Sequence, residues 1–373
     1  MGEIIAPALI TFNQQTYKIG ETVYFSFCVI YLRNMICSFT FMNVLFVKRK
    51  LREKQIGYFL LFQLKTQLLL TVCLVFSWSG VFGHQMEPAK RLNDSTIVTS
   101  DSVALYLKVV GKGAPCIFVH GGPGAWSRSF EAMGGNVLDQ HLTMYYYDQR
   151  GSGRSQPAPN SDYSLDRMVE DIENIRSLTG SEQVYVMGHS FGGVLAFKYA
   201  AKYPTHVKGL ILLNSTLSLI YSLQSQIAFI NKLLDTDIVV EKPDSLMTSF
   251  IAAKTLLHKH DMEYKMLSDS RTTVEKLDSI DNAPRSYAFA QRALSMPEYF
   301  NDFTKETAKI NVPVLVIAGT DDHNIGPDHY KQFRFPRQQT RLIKGGHVLY
   351  YEKNKEFVEA VLEFIDNKAN KRP

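Results

Sequence analysis

Cysteine is scarce in this chain of 373 residues, which contains four. Three of them precede residue 84, so Cys116 is alone in the remainder of the chain. That remainder therefore cannot form an intramolecular disulfide bond. A domain of this length does not need one, because it can bury an apolar core large enough to stabilise it.

The chain also lacks a stripe of Lys and Arg interleaved with aromatic residues, and its net charge of +5 is mild. Nucleic acid is therefore not an expected partner. The sequence shows no internal repeats and no low-complexity segments. The histidines at positions 258, 260 and 329 do not have metal-ligand spacing with acids or cysteines, so the sequence predicts no metal and no cofactor.

Residues 1–83 differ from the rest of the chain, because apolar runs at 23–47 and 67–83 flank a basic cluster at 48–54. The second run follows Lys65 and ends in a small residue, which is typical of a signal peptide cleaved after Gly83. We interpret the region as an upstream extension plus a signal peptide, with translation starting near Met42 or Leu64. The protein would then be exported, to the periplasm or outside the cell. A pair of membrane helices is the alternative, and an uncleaved segment would tether the protein to a membrane.

After a polar linker at 84–100, strand-like and helix-like stretches alternate, which predicts an α/β fold with a mostly parallel sheet flanked by helices. The alternation stops at 217–307, which is helical in pattern, and resumes at 312. We therefore expect a core made of 101–216 and 308–373, with 217–307 inserted as a helical cap over the active site. A separate helical domain is the alternative. The strand-like stretches are 103–110, 116–119, 142–147, 183–187, 207–213, 312–318 and 341–343, and the helix-like ones are 164–178, 194–201 and 354–367.

The centre of this pattern is the hexapeptide at 188–193 (GHSFGG), which lies between an apolar stretch and a helix-like stretch. Strand, G-x-S-x-G and helix is the context of a nucleophile elbow, in which the serine adopts a strained conformation on a tight turn. Gly188 and Gly192 are then steric requirements of that turn. Ser190 is the candidate nucleophile, and a chance match to the short pattern is the alternative.

A second glycine-rich segment, at 120–124 (HGGPG), follows the strand-like stretch 116–119. It lacks the Gly-Lys-Ser/Thr of a phosphate loop and the spacing of a dinucleotide fingerprint. In a hydrolase, such a loop directs a backbone N–H toward the oxyanion of the transition state. We expect the N–H of Gly122 to serve there, together with the N–H of Phe191.

An acid and then a histidine follow the serine, each at the end of a predicted strand. Asp322 comes three residues after Gly319, and His347 ends the segment after 341–343. The order Ser, Asp, His is that of α/β hydrolases, in which the histidine takes the serine proton and the aspartate orients the imidazole. The open alternatives are Asp321 for the acid and, for the histidine, His120, His189 and His323.

The segment 148–155 (DQRGSGRS) follows another strand-like stretch. Arg150 and Arg154 could form an anion site. We favour a structural role, in which Asp148 and the two arginines fix this loop beside the active site.

Together, the segments 120–124, 148–155 and 188–193 resemble the proline iminopeptidase family of α/β hydrolases in order and spacing. The resemblance covers about residues 95–368. It implies removal of an N-terminal residue, typically proline, from short peptides. It also implies a Ser190, Asp322 and His347 triad, with oxyanion donors at Gly122 and Phe191.

Members of that family bind the free amine of the substrate through glutamates of the cap. The corresponding segment here is 288–294 (AFAQRAL), which contains no acid. Glu298 and Glu263 are therefore the candidates for binding the amine, and Asp302 is also close in sequence.

The sequence is compatible with three functions. The first is an aminopeptidase that acts through an acyl-enzyme on short peptides. The second is an esterase or lactonase that uses the same triad on a small ester, with an apolar acyl group under the cap. The third is an α/β-hydrolase fold without catalysis, serving as a binding module. An epoxide or haloalkane hydrolase is disfavoured, because position 190 is Ser rather than Asp.

Overall fold

The computed structural model of the chain describes residues 95–366. The predicted upstream extension, the signal peptide and the alternative pair of membrane helices all lie outside these residues. Within the described range, no helix is both long enough and apolar enough to cross a membrane.

One sheet of eight strands organises the described residues, and its spatial order is β1-β2-β4-β3-β5-β6-β7-β8. β1 and β2 pair antiparallel with each other, and β2 pairs antiparallel with β4. All the remaining pairs are parallel, so the expected mostly parallel sheet is confirmed. The strands are β1 Ser95–Val98, β2 Ala104–Gly111, β3 Ala114–Val119, β4 Leu142–Tyr147, β5 Val184–Ser190, β6 Val207–Ser215, β7 Val314–Gly319 and β8 Gln338–Ile343.

Helices cover both faces of the sheet, which explains why its central strands are apolar almost throughout. Every residue of β5 and of β7 is buried. On one face, Ile172 and Phe197 belong to a core cluster that includes α2 and α3. On the other face, Phe130 and Phe357 belong to a second cluster, from α1 and α9. These helices are α1 Ser127–Ala132, α2 Leu165–Leu178, α3 Gly192–Lys202, α8 Leu349–Glu352 and α9 Asn354–Asp366.

The chain between β6 and β7 consists of helices and short 3-10 turns. Two of these helices share a small apolar cluster around Ile227, Ile230 and Leu257. A backbone bridge between Gly153 and Ser286 attaches the segment to the core. Its α-helices are α4 Leu219–Leu234, α5 Leu246–Lys259, α6 Arg271–Asp281 and α7 Ala288–Ala293.

The prediction of a linker over 84–100 is wrong for its last part, because Ser95–Val98 is strand β1. β1 pairs antiparallel with β2, with Thr96 opposite Tyr106. The strand has only four residues and its Val98 is exposed. Such a stretch shows no clear alternation of polar and apolar residues, and its pairing with β2 forms only in the folded chain.

Candidate active site

The turn that carries Ser190 is as tight as the sequence indicates. β5 ends at Ser190 and α3 begins at Gly192, and Ser190 has a φ of 55°, which is uncommon for a residue with a side chain. A β-carbon at Gly188 would lie 2.7 Å from the carbonyl oxygen of Gly192, and one at Gly192 would lie 2.2 Å from that of Val119. Only glycine fits at either position, so the turn holds Ser190 at the carboxyl end of the sheet.

Asp322 and His347 form a buried pair at the same edge of the sheet. The imidazole Nδ1 of His347 lies 2.9 Å from Oδ2 of Asp322. The other oxygen of Asp322 accepts hydrogen bonds from the backbone N–H groups of Asn324 and Ile325. Burial opposes ionisation of Asp322, but the charge of His347 and its hydrogen bond outweigh burial and hold the pKa of Asp322 below its usual value. An ionised Asp322 can therefore orient the imidazole and stabilise its protonated form.

Ser190 and His347 line one cavity of about 190 Å³, together with Gly122. The loop 120–124 lies directly against the serine, because a β-carbon on Gly121 would be 2.8 Å from the β-carbon of Ser190. Phe191 follows the serine at the N-terminus of α3, where backbone N–H groups and the helix dipole favour negative charge. Gly122 thus lines the same cavity as the candidate nucleophile, and Phe191 follows that residue in the chain.

The competing histidines have other partners. His120 accepts a hydrogen bond at Nε2 from the backbone N–H of Gln149, at 2.9 Å, and its Nδ1 lies 2.8 Å from the carbonyl oxygen of Gly121. It therefore fixes the glycine-rich loop. Nε2 of His189 lies 3.3 Å from the backbone carbonyl oxygen of His347, and burial lowers the pKa of His189 to about 3. His323 stacks on Phe229.

The alternative acid, Asp321, is not bonded to His347. Its backbone N–H donates to the carbonyl oxygen of Gly345, at 3.1 Å. Asp322 holds the imidazole instead, and the geometry favours it as the acid.

The loop 148–155 has the structural role that its sequence predicts. Asp148 is fully buried and accepts hydrogen bonds from Ser127 and from Arg154. Arg150 is also fully buried and pairs with Asp101 and Asp171. Asp148, Arg150 and Arg154 therefore have partners within the protein, and the prediction that these residues fix the loop is confirmed. The two arginines do not form an open anion site.

The two glutamates expected to bind a substrate amine do not line the Ser190 cavity. Glu298 accepts a hydrogen bond from the backbone N–H of Leu165, at 2.9 Å, and thereby caps α2. Glu263 pairs with His258 and lines a different cavity of about 440 Å³. A carboxylate at a helix N-terminus stabilises the helix, and that role explains the position of Glu298.

The sequence reasoning missed Asp281, the last residue of α6, which lines the Ser190 cavity. Its Oδ1 accepts hydrogen bonds from Nε1 of Trp126, at 2.7 Å, and from the hydroxyl of Ser129. Arg285 forms an ion pair with the same oxygen at 3.0 Å. Asp281 belongs to no motif, and the one sequence signal for it is the expectation that an acid of the predicted cap binds the substrate amine. The rest of the cavity is of mixed character: polar side chains come from His120, Ser129, His189, Asn324 and Tyr350, and apolar ones from Phe118, Ala125, Trp126, Phe130, Leu267, Leu277 and Val348.

Residues 115–354 match the model of the α/β hydrolase fold family. This match spans most of the chain and contains the elbow, the acid and the histidine. The chain therefore belongs to the α/β hydrolase family.

Within that family the chain is similar to a curated proline iminopeptidase of Saccharolobus solfataricus, with 26% identity over 69% of this chain and 87% of the relative. A crystal structure of a proline iminopeptidase-related protein from Thermus thermophilus covers 74% of this chain and 98% of its own, with a TM-score of 0.63 and 22% identity. An esterase from Exiguobacterium antarcticum shares the fold, with a TM-score of 0.55 and 17% identity over 73% of this chain and 99% of its own.

Proposed function

We propose that this hydrolase is a serine aminopeptidase that releases N-terminal proline, or another small residue, from short peptides. The observation that carries the proposal is the position of Asp281. Asp281 lines the same small cavity as Ser190 and His347. A cationic amine entering a partly apolar cavity needs a charged partner, and Asp281 can supply it in place of Glu298 and Glu263.

The proposed reaction assigns one role to each of the three residues. His347 takes the proton of Ser190 as the serine oxygen attacks the scissile carbonyl carbon, while Asp322 remains ionised and orients the ring. The N–H groups of Gly122 and Phe191 stabilise the oxyanion. His347 then protonates the leaving amine, which departs and leaves an acyl-enzyme. His347 then takes a proton from a water molecule that attacks the acyl carbon, and it returns this proton to the Ser190 oxygen as the ester bond breaks and the amino acid leaves.

The size and lining of the cavity support a small, partly apolar residue at the reacting end. A volume of about 190 Å³, with aromatic and aliphatic side chains in part of its wall, has room for a pyrrolidine ring. The similarity to a curated proline iminopeptidase supports the same substrate class.

An esterase or lactonase with the same triad is the second candidate, and one observation favours it. Arg285 already forms an ion pair with Asp281, at 3.0 Å, which reduces the charge available to a substrate amine. If that pair persists with substrate bound, the apolar part of the cavity wall would receive an acyl group instead.

The test compares prolyl-anilide, N-acetyl-prolyl-anilide and short-chain nitrophenyl esters. We expect the free amine to be preferred. Replacing Asp281 by Asn should lower kcat/KM for prolyl-anilide by about tenfold to a hundredfold, since an unmade charge-assisted hydrogen bond costs about 1.5–3 kcal/mol. The same variant should cleave the esters almost as well as the wild type.

Asp278→Asn is the matched control, because Asp278 lies three residues earlier on α6 and lines the larger cavity instead. It should leave the preference for the free amine unchanged. Equal cleavage of blocked and free prolyl-anilide would replace the peptidase by the esterase. Activity that survives Ser190→Ala would remove both.

A further inference from the structure

The end of β6 carries an irregularity next to the nucleophile. His189 is opposite Leu213, but Ser190 is opposite Ser215, so Asn214 is an extra residue in the ladder between β5 and β6. Asn214 is fully buried and has a φ of 40°. Bulges of this kind reorient side chains and often lie near active sites.

The bulge directs the amide of Asn214 to the segments that carry the other two catalytic candidates. Its Nδ2 donates to the carbonyl oxygens of Gly346, at 2.9 Å, and of His347, at 3.1 Å. Its Oδ1 accepts from the backbone N–H of Gly319, at 2.8 Å. Gly319 ends β7, three residues before Asp322. One side chain therefore connects the histidine segment to the acid segment.

The two following residues hold the elbow. The hydroxyl of Ser215 donates to the carbonyl oxygen of Gly188, at 2.7 Å. The backbone N–H of Thr216 donates to the carbonyl oxygen of Ser190, at 3.1 Å. Three consecutive residues at the end of β6 thus contact the segments of the nucleophile, the acid and the histidine.

We infer that Asn214 is a positioning residue for the proposed hydrolase reaction, holding His347 and Asp322 in register with Ser190 through the backbones that it bonds. The inference rests on the proposed serine-hydrolase function but not on the choice between peptide and ester. Asparagine suits the position for two reasons: it tolerates a positive φ better than most residues, and its amide supplies donors and an acceptor together.

Two substitutions test the role while keeping the backbone conformation. Asn214→Gly fits the positive φ and removes all three hydrogen bonds. Asn214→Asp has nearly the same shape and keeps the acceptor for Gly319, but an ionised carboxylate cannot donate to the carbonyl oxygens of Gly346 and His347. A protonated carboxyl can donate to one of them, and burial between oxygen atoms raises the pKa of such a group.

Asn231→Asp is the matched control. Asn231 lies in the segment between β6 and β7, where its amide donates to the carbonyl oxygen of Ile238 and accepts from the N–H of the same residue. The substitution makes the same chemical change, but at hydrogen bonds with Ile238 and with the hydroxyl of Thr236, neither of which is a catalytic candidate. Thermal unfolding of every variant at each pH establishes that the kinetics report on folded protein.

For Asn214→Gly we expect kcat to fall by about tenfold to a hundredfold with KM nearly unchanged, because a misplaced catalytic group slows the chemical step. Labelling of Ser190 by a fluorophosphonate should slow by a similar factor. For Asn214→Asp, the ratio of its kcat to that of the wild type should fall as pH rises and the carboxyl ionises. The ratio for Asn231→Asp should stay constant.

Three results would overturn the inference. They are unchanged kcat and labelling in both Asn214 variants, a rise in KM alone, and a loss of activity that only parallels loss of folded protein. Failure of the underlying function looks different, because wild-type protein would then not be labelled at Ser190 at all.

Discussion

At the scale of single residues, the candidate acid Asp322 is distinguished from its neighbour Asp321 by one hydrogen bond. Asp322 contacts Nδ1 of His347, whereas Asp321 uses its backbone N–H to hold the carbonyl oxygen of Gly345. We predict that Asp322→Asn lowers kcat by about 10³- to 10⁴-fold, because the amide no longer fixes the imidazole tautomer. Asp321→Asn should change kcat by no more than about threefold, since it leaves that hydrogen bond intact. Steady-state kinetics on the best substrate would decide, and the reverse ranking would move the role to Asp321.

The sequence reveals some residues of the candidate site and not others. Ser190 and His347 are recognisable because the elbow and the order of strand ends constrain them locally. Asn214 and Asp281 are not, since the hydrogen bonds that single them out are to partners far along the chain: Gly346 for Asn214 and Trp126 for Asp281. A bulge depends on the pairing of two strands and leaves no mark in the residues of one strand alone.

At the scale of elements, Glu298 illustrates how a predicted binding residue can instead stabilise a helix. Its carboxylate accepts the N–H of Leu165, the first residue of α2. We predict that Glu298→Ala lowers the free energy of unfolding by about 0.5–2 kcal/mol, as the loss of a helix cap does. Glu298→Gln keeps an acceptor and should lose less. Urea unfolding measures both changes.

Kinetics of the same two variants separate the structural role from a binding role. If Glu298 only caps α2, kcat/KM for prolyl-anilide should stay within about twofold of the wild type in both variants, because Glu298 does not line the Ser190 cavity. A twofold change corresponds to about 0.4 kcal/mol. A large rise in KM for prolyl-anilide, without a rise in KM for the nitrophenyl esters, would instead indicate that Glu298 binds the substrate amine.

The elements themselves were predictable where burial imposes a simple pattern. β5, β6 and β7 are long apolar stretches because helices cover both faces of the sheet, and α2 and α9 show an apolar face of helical period. β1 was missed for the opposite reason. It has only four residues and lies at the edge of the described sheet beside β2, so burial does not impose a long apolar run on its sequence.

At the scale of the whole molecule, β1 is the outermost strand on one side of the described sheet. β1 covers the outer side of β2, and the turn between them is closed by Thr99, whose hydroxyl and backbone bond to Val103. Without β1, the backbone N–H and C=O groups of β2 on that side would be unpaired, and an open strand edge favours association between molecules.

We therefore predict different stabilities for two shortened chains, one beginning at residue 91 and one at residue 101, the boundary expected from sequence. The chain from 91 retains β1 and Thr99. The chain from 101 loses both, and we expect its free energy of unfolding to be lower by about 2–4 kcal/mol, because each of several backbone hydrogen bonds contributes about 0.5–1.5 kcal/mol. It should also associate at concentrations where the longer chain stays monodisperse.

Urea unfolding measures the change in stability, and light scattering measures the association. Val98→Ala in the longer chain is the control, since this exposed side chain can change while the strand remains. Equal stability of the two chains would show that β1 is dispensable and that the folded unit begins at β2.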